Sequence, residues 1–175
     1  CSIFNADISN WDTTKMGSTA FMFRSCGKFN QPIGKWNTPK IWNPFNMFYG
    51  CSDFNQNLNG WDTSLLKVCA YCFGNAVKFN NGYPPGVKAP FTWNMSQIGT
   101  NPGFGMQGMF RMLGTSNYAF NADMTGWDVS KARSFQGTFE GCVALKHDFS
   151  AWQIPNVTHM GDFLNGVDIN DPNSS

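Results

Sequence analysis

Apolar and polar positions follow one another along this chain with a period of 25 residues. The dipeptide Phe-Asn recurs at that interval, and a tryptophan follows each of its first three occurrences. A fixed period of this length is typical of a repeat protein, in which one unit cannot bury its apolar face alone and neighbouring units stack. The marked residues are Phe4-Asn5, Phe29-Asn30, Phe54-Asn55 and Phe79-Asn80, with Trp11, Trp36 and Trp61.

Three insertions interrupt the period in the fourth and fifth units, at about 81–92, 99–108 and 114–117. Each is rich in Gly, Pro or Asn, as loops are. The period then resumes at Phe120-Asn121 and Trp127-Asp128, and the last unit replaces the Asn by Lys146. We therefore predict a single domain of six to seven units over residues 1–169, followed by a polar tail at 170–175, in a chain cut from a longer protein.

The spacing within a unit predicts its local structure. Apolar residues at offsets of four and three fit a short extended segment and a turn better than an amphipathic helix, so we place a strand from Ala6 to Trp11 and at equivalent positions. The Asp or Asn after each Trp, with Thr14, Ser64 or Ser130 two residues later, favours an Asx turn or the cap of a short helical turn. These features predict a leucine-rich-repeat-like solenoid, with one short strand plus a turn or short helical segment per unit.

Aromatic residues are unusually frequent, with 17 Phe and 7 Trp in 175 residues. In a narrow repeat unit, one large ring per position fills the interior, so we expect the periodic rings to be buried. Trp42 lies outside the period and is the tryptophan that we expect to be exposed.

Charge excludes some classes of partner. The 12 basic and 11 acidic residues are scattered and give a net charge of +1, which lacks the basic patch that nucleic-acid binding requires. No run of 18 apolar residues occurs, so direct membrane insertion is not expected either. The weakly charged, Asn- and Gly-rich composition favours an extracellular or surface location.

The cysteines fall mostly at one position of the period, at Cys1, Cys26, Cys51 and Cys142, with Ala76 at the same position of another unit. Two interpretations stay open. The position can hold small buried residues with free thiols, or neighbours in the stack can form disulfides in an oxidising compartment. Cys69 and Cys72 form a lone Cys-x-x-Cys, which is a weak metal or redox signal and is more typical of structural residues.

Catalytic and metal-binding motifs are not evident. The two histidines, His147 and His159, stand at different positions of the period, and no nucleophile elbow, phosphate loop or zinc motif occurs. The recurrent carboxylates Asp12, Asp62 and Asp128 belong to the turn position, where capping explains them. We therefore predict no catalytic residues, no cofactor and no metal.

The Asn of each Phe-Asn pair has a structural explanation, because amides in register can hydrogen-bond from unit to unit. Three sequons are candidate glycosylation sites in a secreted protein. They are at Asn94, Asn156 and Asn173.

The block Phe-Asn-x-Asp-Ile-x-x-Trp-Asp-Thr, a spaced Met-Phe and Gly-Cys-x-x-Phe-Asn resembles the BspA-type leucine-rich repeat. The resemblance runs from Phe4 to Phe79 and from Phe120 to Leu145, and more loosely elsewhere. It implies a solenoid in a secreted or surface-anchored protein, implicated in adhesion, with no enzyme activity and no transferable active-site residues.

Two classes of function follow. The first is a non-enzymatic module at the cell or virion surface that serves in adhesion or in protein or glycan binding. The same class includes a structural component of a surface assembly, virion or filament, whose partners are neighbouring copies. Aromatic residues in the inserted loops are its candidate contacts, although these rings could instead cover the repeat where its period is broken. The second class is a polysaccharide-active solenoid enzyme, which would need carboxylates paired across units. The candidate contacts are Tyr83, Phe91, Phe104 and Tyr118.

Overall fold

Turns and irregular segments make up almost all of the described part of the chain, which is residues 1–100, 105–114 and 117–167 of a computed structural model. Within these residues, regular secondary structure consists of one 3-10 helix at Ile33–Lys35 and two strands, β1 at Ala89–Pro90 and β2 at Ala122–Asp123. The two strands pair in parallel, with Ala89 opposite Ala122. Isolated parallel bridges join Ser18 to Asn43 and Ser134 to His159.

The prediction of a leucine-rich-repeat-like solenoid with a strand in each unit is therefore wrong. The segment from Ala6 to Trp11 contains no strand. The reason lies in its polar side chains, since Asp7 accepts the backbone N–H of Ser9 at 2.9 Å. Asp and Asn side chains that bind nearby backbone groups compete with the hydrogen bonds of a sheet.

The predicted Asx turns after the tryptophans are confirmed. The carboxylate of Asp62 accepts the N–H of Ser64 at 3.0 Å, and Asp128 accepts the N–H of Ser130 at 3.0 Å. Asp12 binds both the N–H and the hydroxyl of Thr14. These hydrogen bonds hold the pKa of each carboxylate below its ordinary value.

Consecutive units contact one another through aromatic rings in the interior. Phe29 stacks on Phe54 with centroids 5.8 Å apart, and Phe54 stacks on Phe79 at 5.9 Å. Phe48, near the end of the second unit, lies against Phe54 of the third at 4.2 Å. The expectation that the periodic rings form the core is thus confirmed for most of them, because each ring fills the space between its neighbours in the two adjoining units.

The tryptophans form a second set of stacked rings, and each buried indole also binds the preceding unit. Trp36 Nε1 donates to the carbonyl of Ile8 at 3.1 Å, and Trp61 Nε1 donates to Ile33 at 2.9 Å. The expectation that Trp42 is the exposed tryptophan is wrong. Trp42 is half-buried, whereas Trp11, which stacks on Trp36, is 49% exposed.

The predicted ladder of asparagine amides is also confirmed. In each case the side-chain oxygen accepts the backbone N–H at the equivalent position of the next unit, which follows Phe in four cases and Leu145 in the last, at 2.8–2.9 Å. Such bonds satisfy backbone donors at a bend that no strand partner covers. The acceptors are Asn5, Asn30, Asn55, Asn80 and Asn121.

The first insertion runs across the edge of the units instead of extending away from them. β1 forms part of it, and Gly86 donates its N–H to the carbonyl of Ala119 at 2.8 Å. The amide of Asn81 is buried and binds the carbonyl of Pro90 and the side chain of Asn59. The insertion therefore replaces contacts that a regular unit would make. Parts of the other two insertions and the tail at 170–175 lie outside the described residues.

No helix among residues 1–100, 105–114 and 117–167 is long and apolar enough to cross a bilayer.

Candidate functional site

Two residues in most units have left-handed backbone conformation, four positions apart. Positive φ at these positions lets alternate N–H groups point toward the following unit. Gly, Asn and Asp tolerate this conformation, and other residues avoid it. The pairs are Phe21 and Ser25, Asn46 and Gly50, Tyr71 and Asn75, Gly137 and Gly141, and Asp162 and Gly166.

Phe21 and Tyr71 are the bulky exceptions at the first of these positions, with φ of 62° and 53°. A left-handed conformation costs an ordinary L-residue about 1–2 kcal/mol. Other units hold Asn46, Gly137 and Asp162 at the same position. The backbone therefore does not require aromatic side chains there, and local strain of this kind is a pointer to function.

The two rings are joined through Phe45 into what we call the aromatic row, consisting of Phe21, Phe45 and Tyr71. Phe21 contacts Phe45 edge to face with centroids 5.2 Å apart and an interplanar angle of 85°. Phe45 contacts Tyr71 in the same way at 6.4 Å and 83°. The Phe21 side chain is 48% exposed, and the other two are half-buried. The row thus spans three units at the surface.

Gly108 provides the space for the last ring of the aromatic row. A Cβ added at Gly108 would lie 2.3 Å from the Tyr71 Cε1 atom, and φ there is +57°. A side chain at position 108 would collide with the Tyr71 ring and would also require a left-handed backbone conformation, so glycine is required there. The contact holds one side of the Tyr71 ring against the backbone, and the residue as a whole is half-buried.

Arg24 lies beside Phe21 at one end of the aromatic row, and Arg111 interacts with Tyr71 at the other end. The Arg24 guanidinium lies 5.6 Å from the centroid of Phe21 and 5.4 Å from that of Tyr49, within range of a cation–π interaction. Arg111 pairs with Glu140. Partial burial alone would lower the pKa of Arg111, but Glu140 and then Tyr71 raise it above its ordinary value. The surface therefore combines aromatic rings with the positive charge of Arg24, whereas the charge of Arg111 is paired with Glu140.

The sequence-predicted contact residues do not form one site. Phe91 is buried, with 1% of its surface exposed, and its ring centroid lies 5.0 Å from that of Trp93. The ring covers the interior where the period is broken. The prediction that Phe91 contacts a partner is therefore wrong. Tyr83 is half-buried, and its carbonyl accepts from Asn55. Tyr118 is 72% exposed. Phe104 lies outside the described residues.

The aromatic row was missed because its residues stand off the periodic positions. The sequence does contain a signal for the aromatic row. Its three residues are aromatic although they are not at the recurring core positions, and Phe21 and Tyr71 stand where other units have Asn, Gly or Asp. Only the backbone conformation reveals that this position is left-handed.

All six cysteines are free thiols. Cys26, Cys51 and Cys142 are buried and Cys1 is exposed, so the interpretation of the position as a small buried residue holds for three of the four. Burial raises the pKa of Cys51 to about 12, and its thiol donates to the Phe23 carbonyl at 2.9 Å. Such thiols are poor nucleophiles in the folded state.

The sequons Asn94 and Asn156 have exposed asparagines, and Asn173 lies outside the described residues. In the described part of the chain, no group of three or more His, Cys, Asp or Glu side chains is placed to hold a metal ion.

Another surface cluster joins units through charge. Asp53 accepts hydrogen bonds from Lys28 at 3.0 Å and from Lys78 at 2.7 Å, and the three residues come from three consecutive units. The hydrogen bonds from Lys78 and Lys28 hold the pKa of Asp53 below its ordinary value. Because the charges already satisfy one another, we assign this cluster to the contact between units.

Comparisons with known proteins give one result. No curated protein and no solved structure matches the chain. The model of a family described as Mycoplasma protein of unknown function, DUF285, matches residues 1–84 and 87–174. These two segments cover nearly the whole sequence, and the chain belongs to the DUF285 family.

Proposed function

We propose that this protein is a non-enzymatic binding module that recognises a protein partner through the aromatic row. The observation that carries the proposal is the placement of Phe21 and Tyr71 at left-handed positions where other units have Asn, Gly or Asp. Asparagine at these positions would avoid most of the backbone strain. A bulky ring there has a use in contact with a partner, since aromatic residues and arginine dominate the energetics of protein interfaces.

The rigidity of the aromatic row supports binding. Phe21 and Phe45 belong to neighbouring units whose backbones are joined directly, because the Phe21 N–H donates to the Phe45 carbonyl at 2.9 Å. Tyr71 lies on Gly108. Side chains that are already ordered lose less conformational entropy when a partner binds.

Ring orientation favours a protein partner over a glycan. Neighbouring rings of the row are nearly perpendicular, at 85° and 83°, so they alternate edges and faces and do not form a flat platform. Apolar side chains fit such a surface, and the Arg24 guanidinium beside Phe21 suits a carboxylate at the rim of the contact.

The repeat's resemblance to the BspA-type family supports an extracellular or cell-surface location and a role in adhesion. The location of the parent protein at a cell or virion surface is part of this proposal. Extracellular recognition through an exposed aromatic surface needs no cofactor.

Selection from a random peptide library displayed on phage tests the proposal. We expect selected peptides to bind the wild-type protein and to lose at least tenfold in affinity, measured by calorimetry, against Phe21→Asn with Tyr71→Asn. Asparagine is chosen because Asn46 occupies the same position of the second unit, so the fold is retained. The matched control is Tyr118→Asn, which removes an exposed aromatic ring elsewhere and should leave affinity unchanged.

Peptides that bind the double variant as tightly as the wild type would overturn the assignment of the site. A glycan array that captures the wild type, with capture lost in the double variant, would retain the site and replace the protein partner by a carbohydrate.

A further inference from the structure

The ladder asparagines all accept through the side-chain oxygen, but their amide nitrogens have different partners. From the third unit onwards, the nitrogen donates to backbone carbonyls of the first insertion at 2.7–3.0 Å. The main chain of the insertion therefore covers this part of the ladder. The pairs are Asn55 with Tyr83, Asn80 with Pro84 and Val87, and Asn121 with Gly86.

The insertion presents these carbonyls from a tight turn. Val87 donates its N–H to the Pro84 carbonyl at 3.2 Å, and Gly86 has a φ of 72°. Proline at the second position of a turn and a left-handed glycine at the third, as in Pro85-Gly86, are typical of type II. Because proline has no N–H, the segment offers acceptors to the amides and adds few donors that need partners of their own.

Asn30, in the second unit, has the same amide without this cover. Its side-chain oxygen accepts the N–H of Asn55 at 2.9 Å and the side-chain amide of Gln56 at 2.8 Å. These two bonds fix the orientation of the amide, because the reverse orientation would place its donors against two other donors. Its nitrogen has no acceptor within the described residues, which include the units on both sides of it. Asn30 is accordingly exposed, whereas Asn80 is buried.

A groove on the surface exposes the amide nitrogen of Asn30 and adjoins the turn of the insertion. We call it the amide groove. Its volume is about 590 Å³, which is in the range of ligand-binding sites. Because Pro85 is part of both the turn and the groove, the covered and uncovered parts of the ladder are continuous. The groove is lined by Asn30, Asn55 and Pro85 and by the cluster of Lys28, Asp53 and Lys78.

The charged wall of the amide groove also favours a ligand that accepts hydrogen bonds. Lys28 and Lys78 share the single carboxylate of Asp53, so the cluster has one positive charge in excess. The lysine side chains are largely exposed, and their ammonium groups have further protons to donate. Together with the amide of Asn30, the wall offers more donors than acceptors, which suits the partial negative charge of backbone carbonyls.

We propose that the amide groove binds a proline-containing peptide segment of a partner protein. A backbone carbonyl of this segment accepts from Asn30 Nδ2, as the carbonyls of the insertion accept from Asn80 Nδ2. The insertion is the reason for choosing this occupant, because it already binds a Tyr-Pro-Pro-Gly segment to the same ladder. The groove shares no residue with the aromatic row, so this site is additional to the function proposed above.

A displayed peptide library with a fixed Tyr-Pro-Pro-Gly core and random flanking residues is the probe. Peptides are selected on the wild type. Those that bind less tightly to Phe21→Asn combined with Tyr71→Asn are discarded, since they depend on the aromatic row. Calorimetry then measures the affinity of the remaining peptides for Asn30→Asp, which we expect to be lower by about tenfold or more.

Aspartate is chosen because it keeps the oxygen that the ladder needs and replaces only the outward donor by an acceptor, which repels a carbonyl. Asn37→Asp is the matched control. It makes the same change of amide to carboxylate at an exposed position outside the amide groove, where Asp12 and Asp62 stand in other units. Its affinity for the peptides should equal that of the wild type.

NMR on the wild type makes the test independent of how the variant folds. The side-chain amide signals of asparagine report directly on Nδ2. Addition of a selected peptide should shift the signals of Asn30. Those of Asn80 and Asn121 should stay in place, because their nitrogens already bind the insertion.

Three results would overturn the proposal. They are the absence of row-independent peptides that bind at up to about 1 mM, equal affinities for the wild type and Asn30→Asp, and peptide-induced shifts that leave Asn30 unchanged. An oligosaccharide that shifts Asn30 when no peptide does so would also overturn it, because the occupant would then be a carbohydrate.

Discussion

The side-chain oxygen of Asn55 accepts the backbone N–H of Asn80 at 2.8 Å, and the same oxygen accepts the N–H of Gly82 at 2.9 Å. The amide nitrogen of Asn55 donates to the Tyr83 carbonyl at 2.9 Å. One side chain thus belongs to the periodic ladder and also anchors the first residues of the insertion at 81–92. The insertion is therefore held by the same kind of side-chain to backbone hydrogen bond that joins regular units.

Asn55→Ala should therefore destabilise the protein more than loss of a ladder asparagine at the end. Each hydrogen bond contributes about 1 kcal/mol and the backbone donors are left without a partner, so we expect a loss of about 2–4 kcal/mol in the free energy of unfolding. Asn5→Ala, at the exposed first unit, is the control and should cost about 1 kcal/mol. Urea denaturation measures both, and equal losses would show that the insertion is anchored elsewhere.

The asparagine ladder and the aromatic core could be predicted from sequence, because both depend on side chains in register. The absence of a strand from Ala6 to Trp11 could not, because apolar residues at offsets of four and three fit turns as well as a short extended segment. Asp7 and its equivalents decide between the two by binding the backbone of their own unit. Local hydrogen bonding of this kind depends on rotamers that the period does not determine.

The aromatic row could not be predicted for a related reason. Phe21 and Tyr71 fall on a position whose left-handed backbone becomes visible only with the hydrogen bonds between units. The loop aromatics that sequence does single out are divided by burial, since Phe91 fills the interior and Tyr118 is exposed. Burial in an irregular segment depends on tertiary packing.

Gly60 is expected to be intolerant of substitution because two units approach closely at this point. A Cβ at Gly60 would lie 2.6 Å from the carbonyl oxygen of Gly34, a backbone atom that cannot move alone. Gly60→Ala should lower the free energy of unfolding by about 2 kcal/mol or more, as overpacking does.

Gly126 is the matched control, since it also precedes a tryptophan of the period, and a Cβ there has nothing within 4 Å. Gly126→Ala should be neutral or stabilise by up to about 1 kcal/mol through the unfolded state. Thermal and urea unfolding of the two variants compare the sites. Similar effects at both would mean that the units are not as close at Gly60 as we describe.

Thiol labelling should distinguish Cys1 from the other cysteines. Cys1 is exposed and the remaining five are buried, and burial raises the pKa of Cys51 to about 12 and also raises that of Cys69. At neutral pH, iodoacetamide should add one label to the native protein within the time that adds six in denaturant. Mass spectrometry counts the labels. Rapid native labelling beyond Cys1 would contradict the burial of the thiols.

His147 should make stability depend on pH in a mildly acidic range. The side chain is half-buried and lies edge to face with Phe149 at 4.8 Å, and neither ring nitrogen has a hydrogen-bond partner in the described chain. Burial lowers the pKa of His147, partly opposed by Asp123, while Lys88 lowers it further and Asp148 raises it. The folded state therefore binds the proton less readily than the unfolded state.

The direction of this pH dependence follows from the linkage between proton binding and folding. Above the unfolded pKa of about 6.5 both states are neutral at this residue. As the pH falls below that value the unfolded state gains the proton first, so the free energy of unfolding decreases.

Alanine is compatible with position 147 because Ala122 occupies the same position in the preceding unit. His147→Ala should therefore make the free energy of unfolding depend less on pH between about pH 7 and 5. Carboxylates with lowered pKa, such as Asp123, act in a more acidic range, because their stabilising effect is lost only as they become protonated. Urea unfolding at a series of pH values measures the slope, and an unchanged slope in His147→Ala would assign the pH dependence to another group.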